Sequence, residues 1–226
     1  MEIRITTRNE FIQRYWKYYL MLEQNFLDVE QYLAIDELNY IAFSNEYIKQ
    51  YQTICSEIDV IAKSYCIELD GGFRGATINS YCKCITDNNV DFISRKINVR
   101  ERNISLFPWK NWTYTTQTQS NGIGKISSNN PDWWTKYNKI KHSRTTIDGE
   151  TQLPYYKLAN QKNVIESLSA LFQLELYYFR KLQQTYFSTD ADMPGPPSKL
   201  FEIENWGNNW VVLDGDLRLQ IGNGDI

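Results

Sequence analysis

A mainly α-helical protein is expected from this sequence, a bundle of four or five helices with an extended insert and a C-terminal β-hairpin. Two patterns lead there. Apolar residues recur at intervals of three and four through long stretches free of Gly and Pro, and this spacing gives way to alternation only within residues 88–108 and after residue 200. A chain of 226 residues is long enough to bury a substantial core without a disulfide or metal staple.

From Arg8 to about Ala34, the residues Phe11, Ile12, Tyr15, Trp16, Tyr19, Leu22, Phe26, Leu27 and Tyr32 mark one face of a long helix. Asp36–Phe43 breaks the pattern. Ser44 is then placed to cap a second helix, in which Tyr47, Tyr51, Ile54, Ile58, Ile61, Tyr65 and Leu69 form the seam of a helix pair. Asp70-Gly71-Gly72 ends it, and Ile78, Tyr81, Cys82 and Ile85 mark a short third helix. In an insert of about residues 88–130, Ile97 with Val99 and Ile104 with Leu106 alternate with polar neighbours, which predicts short strands or extended chain lying over the bundle. Thr113–Asn130 is rich in Thr, Gln, Ser and Asn and holds Gly122 and Gly124, so a mobile surface loop is expected there.

Pro131 and Asp132 open a further helix that runs to about Arg144, and Thr145–Pro154 closes it off. Asn160 caps a final long helix, marked by Val164, Leu168, Leu171, Tyr178 and Leu182 and reaching about Tyr186. The domain organisation that follows is a helical bundle over residues 1–188, a proline-rich linker over 189–199 with its stiff core at Met193–Lys199, and a hairpin extension over 200–226. The hairpin is expected from Trp210–Leu213 and Leu217–Ile221 about an Asp214-Gly215 turn.

A net charge of −3 argues against a protein that coats nucleic acid indiscriminately, while leaving room for a local basic patch. Aromatic residues make up 15% of the chain, and at helical spacing they read first as half-buried helix surface and only second as base-stacking or sugar-binding platforms. No apolar run approaches the ~20 residues of a membrane span, and the opening MEIRITTRNEF has no basic segment leading into an apolar one, so a cytoplasmic protein is expected. Cys55, Cys66, Cys82 and Cys84 match neither a zinc-site spacing nor a disulfide framework and are read as reduced thiols. No metal or other cofactor is expected.

Charge concentrates on one helix. Lys136, Lys139, Lys141 and Arg144 stand against Asp132, together with His142, the single histidine of the chain. At about 3.6 residues per turn, Trp134, Asn138 and His142 lie above one another, beside a stripe of Trp133, Tyr137, Ile140 and Arg144 whose apolar members suit the core. Asn138 and His142 then fall near the rim of a groove. One reading makes the lysines a solvated face near a helix C-terminus, where cations suit the dipole. The other presents an imidazole that titrates near neutrality to the phosphates of RNA: His takes the 2′-hydroxyl proton, and Arg or Lys neutralises the charge developing on phosphorus, with no metal. One histidine serves as both base and acid only if a second protomer supplies another, so a homodimer is expected.

The run Trp134-x-x-Tyr137-Asn138-x-Ile140-Lys141-His142-x-Arg144, followed by Ala159-Asn160 and the helix NVIESLSALFQLELYYF, resembles the HEPN superfamily of α-helical bundles and bacterial relatives with a W-x-x-Y-N-x-I-K-H-x-R segment. Ser56–Lys63 (SEIDVIAK) resembles a helix of those relatives too. The likeness in architecture covers roughly residues 8–186, and the specific match about a dozen residues. It implies a HEPN-like bundle, RNA as substrate, metal-independent cleavage at a two-fold dimer cleft, and a bacterial anti-phage or toxin-type setting with a partner protein. Asn138 and His142 match the polar residue and the His of the Arg-polar-x-x-x-His signature, whereas the Arg position holds Tyr137. The expected catalytic set is therefore His142, Asn138 and Arg144, with Lys136, Lys139 and Lys141 binding RNA. The alternative is a non-catalytic binding or dimerisation module that has lost the catalytic Arg.

Two carboxylates complete the expected site. Glu57, which with Asp59 straddles Ile58 on the second helix seam, is one, and Glu175, which interrupts the apolar stripe of the last helix, is the other. Burial of an unpaired charge costs several kcal/mol, so Glu175 is expected to meet a Lys, Arg or His from a facing helix or to lie at a cleft. One reading makes such a carboxylate a rim salt bridge; the other makes Glu175, with Glu57, a group that orients His142 or Arg144.

Overall fold

The computed structural model describes residues 4–118, 124–187, 192–207, 210–212 and 218–220, and the chain is mostly helical with small antiparallel sheets. Helix α1 (Arg8–Phe11) begins at Thr7, whose hydroxyl and Glu10 form a reciprocal capping box. It passes through a π-helical turn (Ile12–Trp16) directly into α2 (Lys17–Glu30), so the first long helix stops four residues short of Ala34. Ser44 caps α3 (Asn45–Leu69) through a bond from the Tyr47 amide, and Asn160 caps α6 (Gln161–Thr185) through one from Asn163. Between them lie α4 (Ile78–Asn88), capped by Thr77, and α5 (Asp132–Ser143).

Helix α6 is the axis of the molecule. It packs on α3, α5 and α2, and its residues from Val164 to Phe179 are buried almost without exception. A helix apolar on nearly all sides belongs inside, and the stripe of Val164, Leu168 and Leu171 marks only one of its buried faces. The seam expected on α3 is present: Tyr47, Tyr51, Ile54, Ile58, Ile61 and Tyr65 are all buried.

Strands β1 (Ile97–Val99) and β2 (Ile104–Leu106) form where alternation predicts them, paired antiparallel with Ile97 opposite Leu106. Their third partner is β5 (Phe201–Ile203), which pairs with the other edge of β1 and places Val99 opposite Phe201. All the outer residues of these strands, Ile97, Val99, Ile104, Leu106, Phe201 and Ile203, are buried on one face.

Two expectations are overturned here. Thr113–Asn130 is not a loop: β3 (Thr113–Thr118) and β4 (Gly124–Asn129) form an antiparallel ribbon against α4. The contact is polar, since Tyr114 donates to Asp87 (2.6 Å) and Ser128 to Asn79 (2.6 Å), so no hydrophobic alternation betrays it, while β-branched Thr suits extended chain. Gly122 lies outside the described residues.

Nor is Met193–Lys199 a free linker. Met193, Pro194, Gly195 and Ser198 are buried, and the Trp16 indole donates to the Pro196 carbonyl at 2.7 Å. Beyond it, Trp206 is buried against Tyr177, with the Arg180 guanidinium 3.2 Å from its ring centroid. Residues 193–206 thus close the helical body instead of separating from it, and the hairpin proper is confined to β6 (Trp210–Val212) and β7 (Arg218–Gln220), which pair antiparallel. Its Asp214-Gly215 turn lies outside the described residues.

Candidate nucleic-acid interface

Helix α5 is pinned by its aromatic side. Trp133 donates its indole N–H to the Pro108 carbonyl (2.7 Å), Tyr51 on α3 donates to the Trp133 carbonyl, and Trp133 meets Trp109 edge-on at 5.2 Å between ring centroids. Trp134, Tyr137 and Ile140 are buried as well, and Tyr137 sits edge-on to Tyr51. The stripe expected to face the core does so, except that Trp134 joins it and Arg144 at its end stays in solvent. Asp132 in the first turn and Lys141 and His142 in the last match the helix dipole at both ends.

The cations divide into two groups. Lys136 pairs with Asp132 at 2.5 Å, and Lys139 with Asp148 at 2.7 Å. Asp148 is buried and also accepts from the amides of Glu150 (3.1 Å) and Thr151 (3.0 Å), which ties down the loop after α5. The Lys139 ammonium and these amides hold the Asp148 carboxyl well below the usual carboxylate range, and Asp148 in turn raises Lys139. Lys141, His142 and Arg144 are exposed, and among the described residues their side chains make no hydrogen bond or ion pair; Lys141 only leans toward the Tyr137 ring, 5.6 Å from its centroid. Asn138 is half-buried one turn before His142.

Aromatic groups gather beyond the C-terminal end of α5, beside Lys139 and Lys157. The loop after α5 returns as a 3-10 turn, Tyr155–Leu158, anchored by Tyr156 donating its amide to the Arg144 carbonyl at 3.0 Å. Tyr156 packs edge-on to the exposed Phe43, Lys157 lies 5.1 Å from the Phe43 centroid, and Lys139 lies 5.3 Å from that of Tyr155. Sequence reasoning missed Phe43, Tyr155, Tyr156, Lys157 and Asp148. Only the Asp148-Gly149 turn left a local signal; Phe43 arrives from a distant segment through its bridge to Asn160.

Glu57 and Glu175 do not join this surface. Glu175 on α6 is fully buried, neither of its oxygens has a hydrogen-bond partner among the described residues, and no cation from a facing helix meets it. Burial, with Glu57 as the nearby charge, pushes its carboxyl well above the ordinary range, and burial raises Glu57 too. The expected cation partner and the expected orienting role toward His142 are both absent, because the residue faces the bundle axis while His142 faces solvent. Among the described residues no group of three or more His, Cys, Asp or Glu side chains is placed to hold a metal ion, and no helix is long and apolar enough to cross a membrane.

Comparisons with protein-family models, with curated proteins and with solved structures return no match to this chain.

Proposed function

We propose that this protein is a HEPN-like helical module that binds single-stranded RNA through the C-terminal end of α5 without cleaving it. One observation supports the reading: Lys141 and Arg144 are exposed and without carboxylate partners among the described residues, the 3-10 turn that follows brings Lys157 against the exposed Phe43, and the signature's Arg position is the buried Tyr137. Cations track phosphates and exposed rings stack on bases, which is the chemistry of strand binding with little sequence preference. Lys136 and Lys139, paired with Asp132 and Asp148, add less than the free cations do. The bacterial anti-phage or toxin-type setting and the partner protein belong to this proposal through the resemblance alone, and the homodimer through the single histidine and the resemblance together.

Metal-independent cleavage is the second reading, favoured by the exposure of His142 one helical turn from Asn138, which leaves the imidazole open to a two-fold partner. Fluorescence anisotropy with a labelled uridine oligonucleotide at low salt tests both. Lys141→Glu and Arg144→Glu should weaken binding, each lost phosphate contact removing about 0.7 from the salt slope. His142→Ala should leave binding intact and, on the second reading alone, abolish cleavage. Failure of the parent protein to bind at low salt overturns the RNA reading, and a monomer in light scattering overturns cleavage at a dimer cleft.

A further inference from the structure

Helices α3 and α4 pack along a line that carries two of the four cysteines. Cys66, near the C-terminal end of α3, is fully buried, and Cys84, past the middle of α4, is half-buried; both are free thiols. The Cys84 sulfur stands 3.8 Å from the Cys66 carbonyl oxygen, although 18 residues separate the two in the chain. The two thiols are also hydrogen-bonded to each other. Beside them Tyr65 donates its hydroxyl to Asn89 at 2.9 Å, which fixes the end of α4 against α3 and keeps the two sulfurs in company.

This is not the pair that adjacency in sequence suggests. Cys82 and Cys84 are two residues apart on one helix, and at about 100° per residue they point to nearly opposite sides, which leaves Cys82 in the core. Cys55 lies three turns before Cys66 on α3, about 16 Å away along the axis. The two thiols that do meet differ in character. The hydrogen bond with Cys84, together with burial, raises Cys66 far above the ordinary thiol range, so it keeps its proton. The same bond, donated by Cys66, lowers Cys84; Lys83 assists it, while partial burial, Asp70 and Asp87 oppose it. The more exposed sulfur is thus the one that forms the thiolate, the reactive species toward oxidants.

We propose that Cys84 and Cys66 form a redox-active dithiol, a modification site for small hydroperoxides whose product is a disulfide clasping α4 to α3. The Cys84 thiolate attacks one oxygen of hydrogen peroxide, the O–O bond breaks, and hydroxide leaves and takes up the thiol's proton to become water, with Cys84 left as a sulfenic acid. The Cys66 sulfur then attacks the Cys84 sulfur, gives up its proton and expels hydroxide as a second water. Two thiols lose two electrons in all, and the peroxide gains them. Because α4 carries the β3–β4 ribbon through Tyr114–Asp87 and Ser128–Asn79, the new bond ties that ribbon to the helical body. The site is separate from the end of α5 and independent of RNA binding there.

Peptide mass mapping of the full chain tests it, after the reduced protein has been treated with hydrogen peroxide in small molar excess, denatured and alkylated. A cross-linked pair of peptides carrying Cys66 and Cys84 is expected, with the free-thiol count falling from four to two and returning to four with dithiothreitol. Cys66→Ser should stop the reaction at a sulfenic acid on Cys84 that dimedone traps, Cys84→Ser should keep its remaining thiols, and Cys82→Ala should form the bond as the parent does. Closing this loop restricts the unfolded chain, so the oxidised parent should melt about 5 °C higher than the reduced one. Retention of all four thiols, or a bond to Cys55, to Cys82 or between two chains, overturns the proposal. A sulfenic acid on the parent's Cys84 with no bond overturns the part given to Cys66, and a lower melting temperature overturns the clasp. The parent's own map decides the matter where a variant fails to fold.

Discussion

Glu23 and Glu175 are the same side chain in two buried regions of neighbouring helices, exposed by 1% and 0%, and they have opposite surroundings. Glu23 on α2 accepts from the Tyr19 hydroxyl (2.7 Å), the Ser198 hydroxyl, and the amides of Lys199 (2.9 Å) and Leu200 (3.3 Å). Glu175, in the middle of α6, accepts from nothing among the described residues and has another acid, Glu57, as its charged neighbour. The first carboxylate is a joint that fastens the C-terminal segment to the first long helix. The second is a polar atom pair left in an apolar centre, tolerable because the carboxyl can stay protonated. Depth of burial does not decide what a buried acid does to a fold; the donors delivered to it do.

Breaking the Glu23 region should have the largest effect. Ending the chain after Ser198 removes two amide donors to Glu23, the strand β5 and the buried Leu200, Phe201, Ile203 and Trp206. At about 1.5–3 kcal/mol for each large buried side chain, this loss rivals the whole stability of a domain, so cooperative thermal melting should disappear. A truncated chain that melts as sharply as the parent would show the segment to be dispensable.

Glu23→Ala comes next. It strands two amides and one hydroxyl proton, since the Tyr19 and Ser198 hydroxyls keep each other as partners at 3.2 Å; at about 1–3 kcal/mol for each group left buried without a partner, urea unfolding should report a loss of at least about 3 kcal/mol. A loss under 1 kcal/mol would mean that water or a rearranged segment satisfies those donors.

At Glu175 the sign reverses. Its carboxyl titrates above the ordinary value in the folded state, so the folded protein holds a proton that the unfolded chain releases as pH rises past the normal glutamate range. Its contribution is therefore fully present at acid pH and fades as pH climbs toward the raised folded value. Glu175→Leu should stabilise the protein by about 1–3 kcal/mol at pH 8, with a smaller gain at pH 4. A Glu175→Leu variant less stable than the parent at pH 8 would reveal a partner for the carboxylate.

The smallest effect sharpens the comparison at the surface. His142→Ala should change stability by no more than about 0.5 kcal/mol, since the ring is exposed and makes no hydrogen bond among the described residues. Lys139→Met should cost more, through the Asp148 loop that it holds. Reversal of that order in thermal melts would make the histidine a structural anchor.

The helices were legible because their causes are local. Ser44 and Asn160 cap by reaching an amide three residues on, and the α3 seam repeats within single turns, so neighbours in sequence suffice to define them. The ribbon β3–β4 was illegible because its faces are polar and its packing onto α4 runs through Tyr114–Asp87 and Ser128–Asn79 hydrogen bonds that leave no periodic trace. At the candidate interface, the basic residues of α5 could be read directly, while Phe43 and Tyr156 could not, since only the path of the chain carries them there.

By itself, then, the sequence determined which stretches coil, where most of them start, and which helix concentrates the basic charge. Tertiary structure alone decided that residues 193–206 close the core, that β5 pairs with β1 across about a hundred residues of chain, and that Glu23 meets four donors where Glu175 meets none among the described residues. The physical reason is range. Helix propensity and capping act over one turn, whereas pairing a buried polar group requires segments far apart in sequence to arrive at one point, and the closure of the whole chain, not any local pattern, sets which groups arrive.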